Sequence, residues 1–252
     1  MAEATLDPKL IFETVDRLRQ RVQTRFPNSG LAAVAIQLTD IAARASATAE
    51  WIARPITTLR VLVFSLIGII VLGLLLTFAA LPLPQGRLQL AEFIQVLESG
   101  INDVVLIVAA VFFLASLESR MKRNRALRSI HELRAIAHVI DMHQLTKDPE
   151  WILDRGTESG ILPARSMTAF QLSRYLDYCT EMLAITGKIA ALYIQRFDDS
   201  VALQAVNEVE SVTSGLSAKI GQKLMILYTV HGQDRDRNVR DSQAPAEIPD
   251  PV

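Results

Sequence analysis

Residues 61–81 read VLVFSLIGIIVLGLLLTFAAL, and no ionisable side chain appears from Val61 as far as Gly86. At 1.5 Å per residue, 21 helical residues span roughly 32 Å, which matches a hydrocarbon core of about 30 Å. Fifteen of the 21 are Val, Leu, Ile or Phe. Each contributes about −0.3 to −0.6 kcal/mol to insertion at the bilayer centre, so insertion is favoured by several kcal/mol as an upper bound. Pro82 and Pro84 then stop the helix. The sequence therefore predicts a transmembrane helix over 59–82. The alternative is a core helix of a soluble protein.

A second apolar run, Val104 to Leu117, covers only about 21 Å. Extended from Ile101 to Ser119 it reaches 19 residues, with Asp103 and Glu118 near its two ends, where carboxylates can reach headgroups or water. A second span over 101–119 is expected, with 83–100 as an external linker. A re-entrant or interfacial segment is the alternative, because Glu98 and Asp103 bracket the start of the run.

Lys and Arg near the spans set the orientation. Arg44, Arg54 and Arg60 precede the first span, and Arg120, Lys122, Arg123, Arg125 and Arg128 follow the second. The segment between the spans has Arg87 alone. Both termini are thus expected on the cytoplasmic side of a bacterial-type inner membrane. Residues 1–9 lack the apolar core of a cleavable signal, so Val61 onward would act as an internal anchor.

Half the residues are apolar and 21% are charged, with the charge concentrated outside the two runs. The formal net charge of −1 excludes a globally basic nucleic-acid binder. The one cysteine, Cys179, cannot form an intrachain disulfide. It lies at helical spacing with Leu172, Tyr175, Leu176, Met182 and Leu183, which marks it as a buried apolar residue.

Helical signals fill the remaining chain. Asp7-Pro8 is an N-cap and first-turn pair, followed by Ile11, Val15, Leu18, Val22 and Phe26 on one face. Pro27-Asn28-Ser29-Gly30 breaks that helix, and an alanine-rich helix from about 31 to 53 completes an N-terminal helical hairpin over 1–58. Ala126, Ile130, Leu133, Ala137 and Ile140 make a heptad-like seam on a long helix running on from span 2, from about 101 to 146. Coiled-coil pairing and packing within the chain are equally compatible with it. A short helix at Asp148-Pro149 and a loop marked by Gly156, Gly160 and Pro163 come next.

Thr168 with Gln171 then resembles a capping box. A helix to about Phe197 and another from about Ser200 to Tyr228 form a C-terminal hairpin, and the polar, proline-bearing residues 232–252 are expected to be disordered. The fold class is an all-α membrane protein, in which a two-span transmembrane hairpin carries a helical cytoplasmic domain over 120–231.

No motif carries chemistry strongly. His131 and His138 are seven residues apart and share a helix face, with Asp141 one turn beyond His138, so a metal site is conceivable. The Glu-x-x-His arrangement of di-metal bundles is absent, which makes these weak candidates beside a pH-sensitive pairing or plain polar roles. Arg120, Lys122, Arg123, Arg125 and Arg128 are read as lipid-facing cations, each contributing about 1 kcal/mol near anionic lipid. Arg17, Arg21 and Arg25 form a stripe that faces membrane, an acidic partner or plain solvent. Gly73 and Thr77 are a weak small-residue pair for helix approach.

The favoured expectation is a non-enzymatic inner-membrane protein without cofactor. It acts as scaffold, adaptor or sensor through its cytoplasmic helices, with the lipid bilayer, copies of itself and a cytoplasmic protein as partners, and no nucleic acid. The alternative is a small oligomeric ion channel with Glu98 and Asp103 at its outer mouth. A metal-dependent enzyme ranks behind both.

Overall fold

The structure, a computed structural model, describes residues 5–80, 90–147 and 167–243. These residues are helical between short connectors, and no strand occurs among them. The helices are α1 (Pro8–Arg25), α2 (Gly30–Ala53), α3 (Thr57–Ala80), α4 (Leu90–Leu145), α5 (Ala169–Ile194) and α6 (Ser200–Gln243). The chain is all-α, and α3 and α4 each contain a stretch long and apolar enough to cross a membrane. Two compact units result: residues 1–51 with 126–252, and residues 52–125.

Helix starts follow the capping chemistry. The Asp7 carboxylate accepts from the Lys9 N–H at 2.8 Å with Pro8 in the first turn, and Thr168 and Gln171 form a complete capping box. Asp199 Oδ1 accepts from the Val201 and Ala202 amides at 3.1 and 3.0 Å, which opens α6. The Ser29 hydroxyl accepts from the Ala32 N–H at 3.1 Å at the head of α2. Before it, Asn28 turns the chain with a φ of 57°, a left-handed conformation that Asn tolerates better than most residues.

In the first unit the core is where the helical periodicity puts it. Ile11, Val15, Leu18, Val22 and Phe26 of the α1 segment are buried, as are Ala126, Ile130, Leu133, Ala137 and Ile140 of α4. Helix α1 packs on α5, and α5 packs along α6. Burying four large side chains of α1 contributes on the order of 10 kcal/mol before the entropy of ordering the helix. The exposed Arg21–Glu181 pair between α1 and α5, at 2.8 Å, adds at most about 1 kcal/mol. Apolar burial therefore holds α1, and the ion pair sets its register. Phe26 ends the helix with its ring edge-on to Tyr175 and Tyr178, at 5.4 and 6.2 Å. Leu6 is tied to Gln195 through both its N–H and its carbonyl.

In the second unit the described apolar side chains of α3 and of the first part of α4 are largely exposed, with Val63 buried. Phe64 is 70% and Phe112 72% exposed. Glu118 at the end of the apolar part of α4 accepts from Arg60 Nε at 2.7 Å and from the Ile56 N–H at 3.2 Å, and Lys122 lies 2.9 Å from it.

Two helix bounds differ from the sequence reading. Helix α4 begins at Leu90, not at 101, because Leu90 to Ser99 contains neither Gly nor Pro and a single Gly100 costs a helix only about 1 kcal/mol. Helix α6 continues to Gln243, past the expected tail boundary at 232, since its first proline comes at 245 and Gly232 costs a helix only about 1 kcal/mol. The prolines at 82 and 84, the segment from Asp148 through Pro163 and the residues after 243 lie outside the described residues.

A close approach fixes the head of α2. A Cβ on Gly30 would overlap the His143 ring, lying 2.9 Å from Nδ1 and 3.0 Å from Nε2. Gly187 in α5 has room, with its nearest neighbour, Thr213 Oγ1, at 3.5 Å. Gly30→Ala is therefore expected to cost about 1–3 kcal/mol, whereas Gly187→Ala stabilises by up to about 1 kcal/mol. Urea unfolding followed by circular dichroism measures both, and His143→Ala should remove most of the Gly30→Ala penalty. An undiminished penalty in the double variant would contradict the packing described.

Candidate functional site

The basic row after the second apolar run divides by environment. Lys122 is buried, and its ammonium faces Glu118, so it does not present its charge to the surroundings. Arg120 is exposed and lies over the Phe113 ring at 5.4 Å, two helical turns back toward the apolar run. Arg128 is exposed, whereas Arg123 and Arg125 have interactions of their own. The signal for the Lys122 pairing was present in the sequence, since Glu118 and Lys122 stand at i, i+4 with the acid on the N-terminal side.

Glu98 and Asp103 both lie on α4 and are exposed. Five residues apart on a helix places them about 140° apart around the axis, so they do not share a face.

His131 and His138 are exposed on α4, and Asp141 accepts from Gln144 Nε2 at 2.6 Å. Among the described residues no group of three or more His, Cys, Asp or Glu is gathered as a metal site. His143 serves packing against Gly30.

The Arg17, Arg21, Arg25 stripe turns largely toward α5. Arg21 makes two hydrogen bonds to the Glu181 carboxylate and stacks over Tyr178 at 5.1 Å. The Glu181 bond raises the already high Arg21 pKa. Arg25 stacks on Phe170 at 5.5 Å, and Arg17 stays exposed. These partners stand more than 140 positions away in the chain, beyond any local signal.

A cleft of about 260 Å³ opens between α2 and α4, with Ile41, Ala135, Ile136 and Val139 as its apolar lining and Asp40, Arg44 and Glu132 as its charged lining. Arg44 Nη2 donates to Glu132 Oε1 at 2.9 Å. Burial pushes the nearby Tyr193 hydroxyl up to about 12. The volume falls below the roughly 300–1,000 Å³ of small-molecule pockets.

One end of the first unit gathers more chemistry. There the last turns of α1 and α4, the first turns of α5 and the part of α6 around 223–228 meet about the buried Tyr175 ring. Lys147 lies over that ring at 5.8 Å, Lys223 donates to the Gln144 carbonyl at 3.2 Å, and the Tyr228 and Ser173 hydroxyls are 3.5 Å apart. Gln144 is 1% exposed, and its side-chain oxygen has no partner among the described residues. Burial raises Tyr175 well above the usual phenol range and pushes the Cys179 thiol up to about 12.

No protein-family model, curated protein or solved structure matches this chain.

Two outcomes follow from these environments. Cys179 should resist maleimide at pH 8 in the folded protein and react on denaturation. Because its folded pKa lies above that of an open thiol, its contribution to stability is constant at neutral pH and is lost as pH rises from about 9 toward 12. Fast labelling of the native thiol would contradict its burial. Removing Glu118 alone leaves buried Lys122 without its counter-charge, so Glu118→Gln should lower the thermal midpoint in detergent by about 5 °C. The Glu118→Leu, Lys122→Met double variant should lose less than either single change.

Proposed function

We propose that this chain is a membrane-anchored adaptor. Two spans, over 59–82 and 101–119, hold the helical unit at the cytoplasmic face of a bacterial-type inner membrane, where it binds protein partners and assembles with copies of itself. No catalytic step is assigned to it.

The observation that carries this reading is the contrast between the units. Among the described residues the two windows apolar enough to cross a membrane are 6% and 0% buried, whereas the other unit has a core of its own. A core helix of a soluble protein would be covered by its neighbours, and an apolar surface of this extent in water is a liability. Lipid removes the liability without any further protein contact. The Lys and Arg bias supports the orientation, and exposed Arg120 over Phe113 suits a cation at the headgroup boundary.

The adaptor role is supported by what the helical unit offers. Its α2–α4 cleft is small for a metabolite, while its end around Tyr175 presents rings and cations on a rigid scaffold. The channel alternative draws less support, because Glu98 and Asp103 do not share a helix face.

Single cysteines at Gln85 and Ser242 in a Cys179→Ala background test the anchoring. An impermeant maleimide should label position 85 in intact cells and position 242 only after lysis. Labelling at 242 in intact cells would overturn the orientation. A cation-selective current in planar bilayers that weakens in Asp103→Asn would replace the adaptor reading by the channel.

A further inference from the structure

We propose, resting on the adaptor reading, that the end of the helical unit around Tyr175 is a docking surface for an acidic, amphipathic helical segment of another protein. Three cations from three helices converge there: Arg25 at the end of α1, Lys147 just after α4, and Lys223 on α6. Among the described residues none of the three is paired with a carboxylate. Their contacts are the Phe170 ring, the Tyr175 ring and the Gln144 carbonyl. On neighbouring turns Asp177 is paired with Arg174 at 3.5 Å, and Asp141 accepts from the Gln144 amide at 2.6 Å. Among the described residues this end thus presents three cations held by rings and a carbonyl rather than by carboxylates.

Apolar surface lies among these cations. Phe170 is 61%, Leu145 60% and Tyr228 60% exposed, while Ile140 of α4, Leu172 and Leu176 of α5 and Leu227 of α6 are buried beneath them. Rings on a rigid scaffold bind at little entropic cost, and aromatic residues beside Arg are what binding surfaces favour. A partner helix with carboxylates on one side and Leu or Phe on the other would satisfy both features at once.

The same chemistry could meet an anionic lipid surface, but the geometry favours protein. Phe170 is flanked by two guanidiniums, Arg25 at 5.5 Å and Arg174 at 5.7 Å, and the Tyr228 hydroxyl turns in toward Ser173. Rings that enter a bilayer must project beyond the cations beside them. Here the cations lie over the ring, which suits a partner that meets ring edge and charge together.

Full-length protein in nanodiscs of zwitterionic lipid, with empty nanodiscs as the blank, provides the test. The probe is a fluorescent 16-residue helical peptide with Leu on one face and Glu on the other, and its counterpart carries Lys for Glu. Anisotropy should show the acidic peptide binding, with affinity falling at least tenfold in Arg25→Glu/Lys223→Glu, falling in Phe170→Ser, and unchanged in the exposed Arg17→Glu. Equal binding of the basic peptide, or no effect of the double variant, would overturn the proposal. So would absence of binding, the outcome expected if residues 148–166 of the chain itself occupy the surface. Recruitment of phosphatidylglycerol vesicles without peptide binding, abolished by the double variant, would assign the surface to lipid and overturn it as well. Peptide binding together with labelling of position 242 in intact cells would leave the docking surface standing and refute the cytoplasmic placement.

Discussion

Helix α5 is buried on nearly every side, and the helical unit is arranged to make that so. Fifteen of its 26 residues are buried, more than the single apolar stripe of a surface helix would give. Its buried hydroxyls are compatible with this because they find partners: Thr186 donates to the Met182 carbonyl at 2.8 Å, and Ser173 lies 3.5 Å from the Tyr228 hydroxyl. Covering α5 requires α1 on one side and α6 on another, and the Phe26 ring closes against its first turns. Arg21 and Glu181 then fix how α1 lies along it.

Charge in this protein divides into two roles that a list of residues does not separate. Lys122 and Arg60 act on Glu118, a carboxylate that also accepts the Ile56 amide just before α3 begins. With both oxygens engaged, a partly buried acid becomes compatible with the edge of an apolar run. Arg25, Lys147 and Lys223 act outward, since rings and a carbonyl hold their side chains without neutralising them. The first set stabilises an arrangement, and the second contributes a local positive field at the end of the helical unit.

Most of the fold was legible because helices announce themselves locally. The apolar positions of the α1 face and of the α4 seam recur every three or four residues, and all of them are buried. The caps at Asp7 and Thr168 sit where Pro8 and Gln171 placed them. The start of α4 was harder to place, because Glu98 and Gly100 interrupt the hydrophobic pattern without breaking the backbone. The site was legible only in part. The i, i+4 relation of Glu118 and Lys122 could be read directly, but Arg25 meets Phe170, and His143 meets Gly30, across separations that no local pattern encodes. The basic row looked uniform for the same reason, since burial is a property of neighbours and not of the row.

The helical unit is assembled from two stretches of chain that flank the apolar runs, residues 1–51 and 126–252. Its order of synthesis is therefore out of step with its order of packing. Ile11, Val15, Leu18 and Val22 leave the ribosome long before the α5 surface that buries them, and Arg21 waits 160 residues for Glu181. At about 5–20 residues per second that delay is roughly 8–32 s. Throughout it, an amphipathic segment stands uncovered while the most hydrophobic part of the chain is being made. The apolar face of α1 thus gains its α5 cover only after residues 169–194 have been made, which puts the closing of this core at the end of synthesis.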